Sequence, residues 1–465
     1  MMISIRQFLC VALLCPVLAW TQWSTLVNTA HLSHLTESVK VNGTVVDVVH
    51  VYANYPEYHW VAAAESGPEG IACVDDAARA AVFWLRLHEL RGDPKALSAA
   101  RPLLEFVIRM ECDDGQFFNF ILGDHSINKT GKTSFPSFGW WASRGIWAMA
   151  QGYCAFRERD PQFAARLAKG IRRALPNLSI PLRRYGQIDS VRGLAVPRWL
   201  PYGSGADVSS ELVLGLMSFY TATHDTAIAG SIRKLLAGMM MMQDGDLERF
   251  PYGAHRSWET MWHMWGNGQT QALALCGLLM HEPEYVRSGV REARGLYARL
   301  LIEGFLKERD LADSTKQPLH EQIAYSARPM AIGCINLFNA THDSLYLTMA
   351  GLTASWLMGN NEAGQQMFDP HSGRCFDGIR EDGVVNKNAG AESTIEALMT
   401  LLEVEQYPRA RSMLMMKKSS HRSDGTMRYA NFSDGAGNLV TLVTDRTSVR
   451  VIEGEESRMF QAEHP

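Results

Sequence analysis

Two adjacent aspartates, Asp75 and Asp76, open an apolar helical stretch within Gly70-Ile71-Ala72-Cys73-Val74-Asp75-Asp76-Ala77-Ala78-Arg79. At a helix N-terminus the backbone dipole favours ionised carboxylates, which suits a base that takes a proton from water. Capping alone would explain one aspartate and leave the other unexplained. A second acidic pair, Glu392 and Glu396, stands one turn apart in Asn386-Lys387-Asn388-Ala389-Gly390-Ala391-Glu392-Ser393-Thr394-Ile395-Glu396, with small residues beside Glu392 that leave room for a ligand. Carboxylates on opposite sides of a sugar, roughly 6.5–9.5 Å apart, are what an inverting glycosidase requires. On this reading Asp75 or Asp76 is the base and Glu392 the acid.

Aromatic residues cluster between these motifs. Trp140-Trp141 opens one apolar stretch, and Trp258, Trp262, His263 and Trp265 precede another. Sugar rings offer flat apolar faces that stack on such side chains, while nearby amides and charged groups bond the hydroxyls. Trp140, Trp141, Arg144, Asp114, Trp258, Glu259, Trp262, His263, Asn267, Gln322, Tyr325 and Asn388 are therefore the expected sugar contacts. Aromatic packing of loops onto the body is the competing use of each Trp. His320-Glu321 resembles half of a zinc motif, but no second His follows at helical spacing, so neither a metal nor any other cofactor is expected.

These residues need a scaffold, and the scaffold shows as punctuation. Short polar turns end one apolar helix and begin an amphipathic one: Arg91-Gly92-Asp93-Pro94, Arg159-Asp160-Pro161, Thr223-His224-Asp225, His281-Glu282-Pro283, Thr341-His342-Asp343 and Glu405-Gln406-Tyr407-Pro408. Asp93, Asp160, Asp225, Pro283, Asp343 and Pro408 recur at intervals of 67, 65, 58, 60 and 65 residues. Asp and Pro suit a helix cap and first turn, and an even period of this length signals an array of helical hairpins. The helix before each turn is the more apolar and belongs inside; the one after it is amphipathic and belongs outside. Six hairpins predict an all-α fold, an (α/α)6 toroid, over residues 61–416. The long connections all run from an outer helix to the next inner one, so they gather at one mouth, where function concentrates. Ring closure sets the sixth inner helix beside the first and brings Asp75, Asp76 and Glu392 to one cleft.

Two end pieces lie outside the repeat. Val39–Tyr52, around Asn42-Gly43, reads as a hairpin within an N-terminal extended segment, 20–60. Residues 417–465 read as a β-rich tail, a small accessory element. Residues 1–19, with an apolar run from Phe8 to Trp20 and Val17-Leu18-Ala19 at its end, predict a cleaved secretory signal and a secreted or periplasmic protein. No later apolar run reaches membrane-spanning length. A net charge of −4 over 465 residues, with no basic block, argues against nucleic acid as a partner. The six cysteines beyond the leader have no metal spacing and read as buried thiols more readily than as a disulfide framework.

Cys73-Val74-Asp75-Asp76-Ala77-Ala78-Arg79-Ala80, Ser355-Trp356-Leu357-Met358-Gly359-Asn360-Asn361 and Asn388-Ala389-Gly390-Ala391-Glu392-Ser393-Thr394 together resemble a group of bacterial and archaeal six-hairpin glycosidase-like proteins, related to an all-α module that follows some mannosyltransferase-type glycosyltransferase domains. The resemblance spans roughly residues 50–410. A more distant likeness, to glycoside hydrolase family 9, implies Asp75 or Asp76 as general base and Glu392 as general acid. The chain departs from that family in having adjacent aspartates and no His-Arg motif after the Gly-Asn turn. The expected function is inverting glycoside hydrolysis of a poly- or oligosaccharide. The alternatives are a polysaccharide lyase or uronyl epimerase using a Tyr/His pair such as Tyr325 and His263, and a non-catalytic glycan-binding protein.

Overall fold

A computed structural model describes residues 25–464 apart from 314, 316, 317, 424 and 426; the leader expected over 1–19 lies outside the described residues. Six inner helices, Val74–Arg91, Trp140–Phe156, Ala206–Thr223, Gln269–Leu279, Ala327–Thr341 and Ala391–Val404, touch one another in chain order, and the last closes onto the first. They are buried nearly all round. In Trp140–Phe156, twelve positions including Ser143, Arg144 and Gly145 are buried. Outer helices bury a stripe: in Pro161–Leu182 it is Phe163, Leu167, Ile171, Ala174 and Leu178, at helical spacing. The fifth, Leu345–Ala354, departs from the expected amphipathic pattern and is buried at all ten positions, because Pro408–Ser412 and Val449–Glu453 also pack on it.

The turns work as their residue types require. Asp93, Asp160, Asp225 and Asp343 each accept a hydrogen bond from a backbone N–H in the first turn of the following outer helix, at 2.9–3.0 Å. The preceding inner helices end in a left-handed residue at Gly92, His224 and His342. The fourth outer helix, Pro283–Glu292, continues through a π-helical turn, Ala293–Tyr297, into Ala298–Glu303. The sixth is cut short at Pro408–Ser412.

"All-α" describes the ring but not the whole chain. Thr36–Val41 and Thr44–Val49 pair across Asn42-Gly43, both of which have positive φ. Lys417–Ser423, Arg428–Ser433, Leu439–Thr444 and Val449–Glu453 form a four-stranded antiparallel sheet, which packs on Ala298–Glu303. Short two- and three-residue strands stiffen the long connections at the mouth; among them Gln322–Ile323, Gly378–Ile379 and Val385–Asn386 make one small sheet. The N-terminal segment crosses the start of the last inner helix: Ala389 N–H donates to Ala53 O at 3.1 Å and Ala391 N–H to Val51 O at 2.9 Å. No helix among the described residues is long and apolar enough to cross a membrane. Cys73, Cys112, Cys154, Cys276, Cys334 and Cys375 are free thiols.

The second and third inner helices cross closely at Gly215, where a β-carbon would stand 2.6 Å from the Trp147 Cα and 2.8 Å from its backbone nitrogen. Backbone atoms cannot yield as a flexible side chain can. Gly215→Ala should therefore force these helices apart and destabilise the fold by about 1–3 kcal/mol, the usual scale of core overpacking. An unchanged urea midpoint would show that the crossing tolerates a methyl group.

Candidate active site

The first inner helix is capped from outside. Asn119 Oδ1 accepts from Val74 N–H at 3.1 Å and from Asp75 N–H at 3.4 Å, so neither aspartate is spent as the cap. Adjacent helical residues point about 100° apart, and the two carboxylates diverge. Asp75 meets Arg144 Nη1 at 2.6 Å and Asn119 Nδ2 at 3.1 Å. Asp76 is buried, accepting from Arg79 Nη2 at 2.7 Å and from the Cys73 thiol at 3.2 Å. The aspartates thus serve separate arginines.

From here polar contacts run through the whole ring. Arg79 Nη1 also donates to Glu392 and to Glu396, each at 3.0 Å. The other oxygen of Glu396 takes Arg328 Nε, whose Nη2 donates to Glu211 at 2.7 Å and whose Nη1 donates to Gln271 at 3.3 Å. Glu211 accepts the Tyr325 hydroxyl at 3.1 Å, and that hydroxyl accepts from Arg144 Nη2 at 2.7 Å. The path returns to Asp75. Every inner helix has a residue in this belt or at its end, and the guanidinium groups of Arg79, Arg144 and Arg328 lie 5.2–5.4 Å from the Tyr325 ring centroid. Burial pushes the Asp76 and Glu396 carboxyls up. Burial acts on Glu211 in the same sense, but Arg328 and Arg144 outweigh it and hold Glu211 below its usual range.

The belt forms the floor of a cavity of about 320 Å³. Five carboxylates line it, Asp75, Asp76, Glu65, Asp377 and Glu392, against two guanidiniums, Arg79 and Arg144. Asp377 reaches it from the connection before the last inner helix. That connection is fixed by the strand pair Ile323↔Gly378, where a β-carbon at 378 would come 2.4 Å from Gln322 O. Asp377 Oδ1 accepts from Gly390 N–H at 2.9 Å and from Ser393 Oγ at 2.5 Å. Burial nevertheless pushes its carboxyl up to about 6, with the Glu392 and Glu321 charges adding to the rise. Tyr52, from the N-terminal strap, closes one side and donates to Glu65 at 2.8 Å.

No family model and no curated protein matches the chain. Solved structures do. The chain is similar to a sugar epimerase from a ruminal bacterium, with a TM-score of 0.57 and 14% identity over 81% of this chain and 95% of that one. It is similar to cellobiose 2-epimerase from Spirochaeta thermophila, with a TM-score of 0.55 and 13% identity over 83% and 94%. The cellulase Cel9M of C. cellulolyticum in complex with cellobiose follows at 0.51 and 10%, over 78% and 89%. The chain has the six-hairpin glycosidase-like fold.

Within this six-hairpin ring the expected site residues divide. Asp75, Asp76, Arg144, Tyr325 and Glu392 meet at the cavity. Trp140 stands beside it, its ring 4.7 Å from the Arg144 guanidinium and 6.3 Å from Trp265. His263 lies behind that aromatic wall, stacked on Trp265 at 3.7 Å and bonded to Asp207 at 2.8 Å, and Trp258 leans on His263 at 4.9 Å. Asn388 Oδ1 accepts from Tyr55 N–H at 3.0 Å and holds the strap.

Four expected sugar contacts are turned into the protein. Trp141 donates to Phe117 O at 2.6 Å, Trp262 is buried in the strand Met261–His263, and Asn267 donates to His255 O at 3.2 Å. Gln322 bridges Phe305 O and the Trp356 indole. Asp114 sits in an exposed turn, accepting from Gln116 N–H at 3.0 Å, and Glu259 lines a different cavity. Sequence reasoning missed Asp377, Tyr52 and Glu65. An isolated Asp before Gly in a long connection reads as a turn, and nothing in its spacing marks it as acidic equipment.

Arg328 is fully buried and compensates Glu211 and Glu396. Arg328→Met should leave both carboxylates short of a cation and cost about 3–5 kcal/mol in denaturant unfolding, the scale for breaking one side of a buried pair. A loss below 1 kcal/mol would mean that the belt does not hold the ring together.

Proposed function

We propose that this chain is a glycoside hydrolase acting on an oligo- or polysaccharide outside the cytoplasm, the location resting on the apolar leader in the sequence. The observation that carries the reading is Asp377, a carboxyl raised to about 6 in a cavity lined by other carboxylates. Pairs of acids whose surroundings push their proton affinities apart are suited to acid–base work on a glycosidic bond. Asp377 then gives its proton to the leaving oxygen as the bond to the anomeric carbon breaks. Asp75, oriented by Arg144 and Asn119, takes a proton from the water that attacks that carbon, and the product emerges with inverted configuration. Glu392 was expected from the sequence to be the acid, but it is engaged by Arg79 at 3.0 Å, so the acid role passes to Asp377. Glu392 lies beside Asp377 and helps to hold its proton. An excess of carboxylate at the cavity favours a neutral sugar over a uronate, which weighs against the lyase and uronyl epimerase alternatives.

One observation favours a second reading, a sugar epimerase or isomerase. The structures of a sugar epimerase and a cellobiose 2-epimerase share this fold at TM-scores of 0.57 and 0.55, and a carboxyl at about 6 could also exchange a proton next to a sugar carbonyl.

A polysaccharide panel with NMR detection of the product anomer in deuterated water separates the two. Hydrolysis gives new reducing ends and no deuterium on carbon; epimerisation gives deuterium at C2 and no chain cleavage. Asp377→Asn should lower kcat by about 10²–10⁴-fold with the fold intact. The acid works in its protonated form, so kcat/KM should fall as the pH rises through about 6, and that limb should vanish in the variant. Full turnover by Asp377→Asn would remove the assignment.

A further inference from the structure

A second cavity, of about 550 Å³, opens beside the first. Its walls come from the end of the second outer helix, at Asn177, Ile180 and Pro181, and from the connections that lead into the second, third and fourth inner helices, so it shares the mouth of the ring. Phe138, Val196 and Leu200 make an apolar floor. Arg184 and Glu259 stand at the rim, and neither side chain has a partner among the described residues. The other charged lining residues, Arg198 and Asp189, pair with each other, so two cations and two anions leave the cavity without net charge. An apolar floor under a neutral, hydrogen-bonding rim fits a sugar, whose C–H face is apolar and whose edge is hydroxyl.

Tyr202 lines the second cavity and packs against the start of the second inner helix, which also walls the first. Its φ is +54°, and Gly203 and Ser204 after it are also left-handed, at +68° and +71°. Residues with a β-carbon rarely adopt this conformation, so the surroundings hold it in place. The result is a tyrosine ring 52% exposed, lying against Gly139, where a β-carbon would stand 2.6 Å from Tyr202 Cδ2. Gly139 directly precedes Trp140, whose face carries the Arg144 guanidinium that binds Asp75. Burial raises the Tyr202 hydroxyl, and the charges of Asp75 and Asp207 add to the rise.

We infer that the second cavity is a distal sugar-binding site reached over Tyr202, so that the substrate is a chain of several neutral sugar units and not a free mono- or disaccharide. The inference rests on the glycoside reading above and narrows it to extended substrates. Tyr202 supplies a stacking face between the sites; Arg184 and Glu259 bond hydroxyls of the outer unit.

The test titrates linear gluco-, manno- and xylo-oligosaccharides of two and six units into the full-length Asp377→Asn protein by calorimetry. In the series that binds, the six-unit ligand should bind about tenfold or more tightly than the two-unit ligand. Tyr202→Ala or Arg184→Ala in the same background should bring that ratio towards one, and Tyr202→Phe, which keeps the stacking face, should preserve it. A ratio near one before any substitution, a ratio indifferent to both alanine variants, or no binding in any series would overturn the distal site. Turnover by the unsubstituted protein keeps this apart from the parent reading. Tyr202-dependent length discrimination without cleavage supports the site and sinks hydrolysis; cleavage without length discrimination does the reverse.

Discussion

Three guanidinium groups lie at the axis of the ring, and removing them from water is costly unless carboxylates meet them at bonding distance. Arg79, Arg144 and Arg328 are each met, and their partners are spread over different inner helices. That requirement constrains the rotation of each inner helix about its own axis far more tightly than apolar contact does. Alanine and leucine faces tolerate small rotations, whereas a forked guanidinium shared between carboxylates does not. The cavity above inherits its shape from this: Asp75, Asp76 and Glu392 line it where Arg144 and Arg79 hold them, while Glu396 is committed below.

Much of the ring was legible because its signals are local. Asp93, Asp160, Asp225 and Asp343 mark helix starts through their own side chains, and a cap needs nothing from the rest of the chain. The meeting of Asp76 with Glu392 was legible for a different reason: a closed ring of six must bring its ends together, whatever the loops do. The path of the loops could not be read. Asp377 is placed by a strand pair with Gln322–Ile323, a pairing between two connections with no periodic signature. Trp141 and Trp262 show the limit of composition. A tryptophan at or before a helix start is equally suited to stacking on a sugar or to closing a gap against a loop, and only the route of the backbone decides which. The role of Asn119 as external cap was likewise invisible, since its partner helix starts over forty residues earlier in the chain.

The β elements that the ring pattern does not contain are not ornaments at the mouth. Tyr52 and Glu65 wall the cavity from the N-terminal segment, and backbone bonds from 389 and 391 to 53 and 51 fix that segment across the last inner helix. The walls above the belt are thus made of connections, each pinned by a few strand bonds, over a floor made of helices. This division lets the outline of the pocket vary with its loops while the charged floor stays fixed.

Arg79 finds Glu392 and Glu396 at sequence separations of 313 and 317 residues. While the chain is still emerging from a ribosome or a translocation pore, that arginine has no counter-ion from the final hairpin, and contacts so distant in sequence form late. The pocket therefore lacks its Glu392 wall until the sixth hairpin is in place. A chain stopped short of the sixth hairpin leaves Arg79 with Asp76 of its own helix but without Glu392 and Glu396, and the flank of the ring stays open. The charged floor is complete only when the last helix docks and Glu396 meets both Arg79 and Arg328.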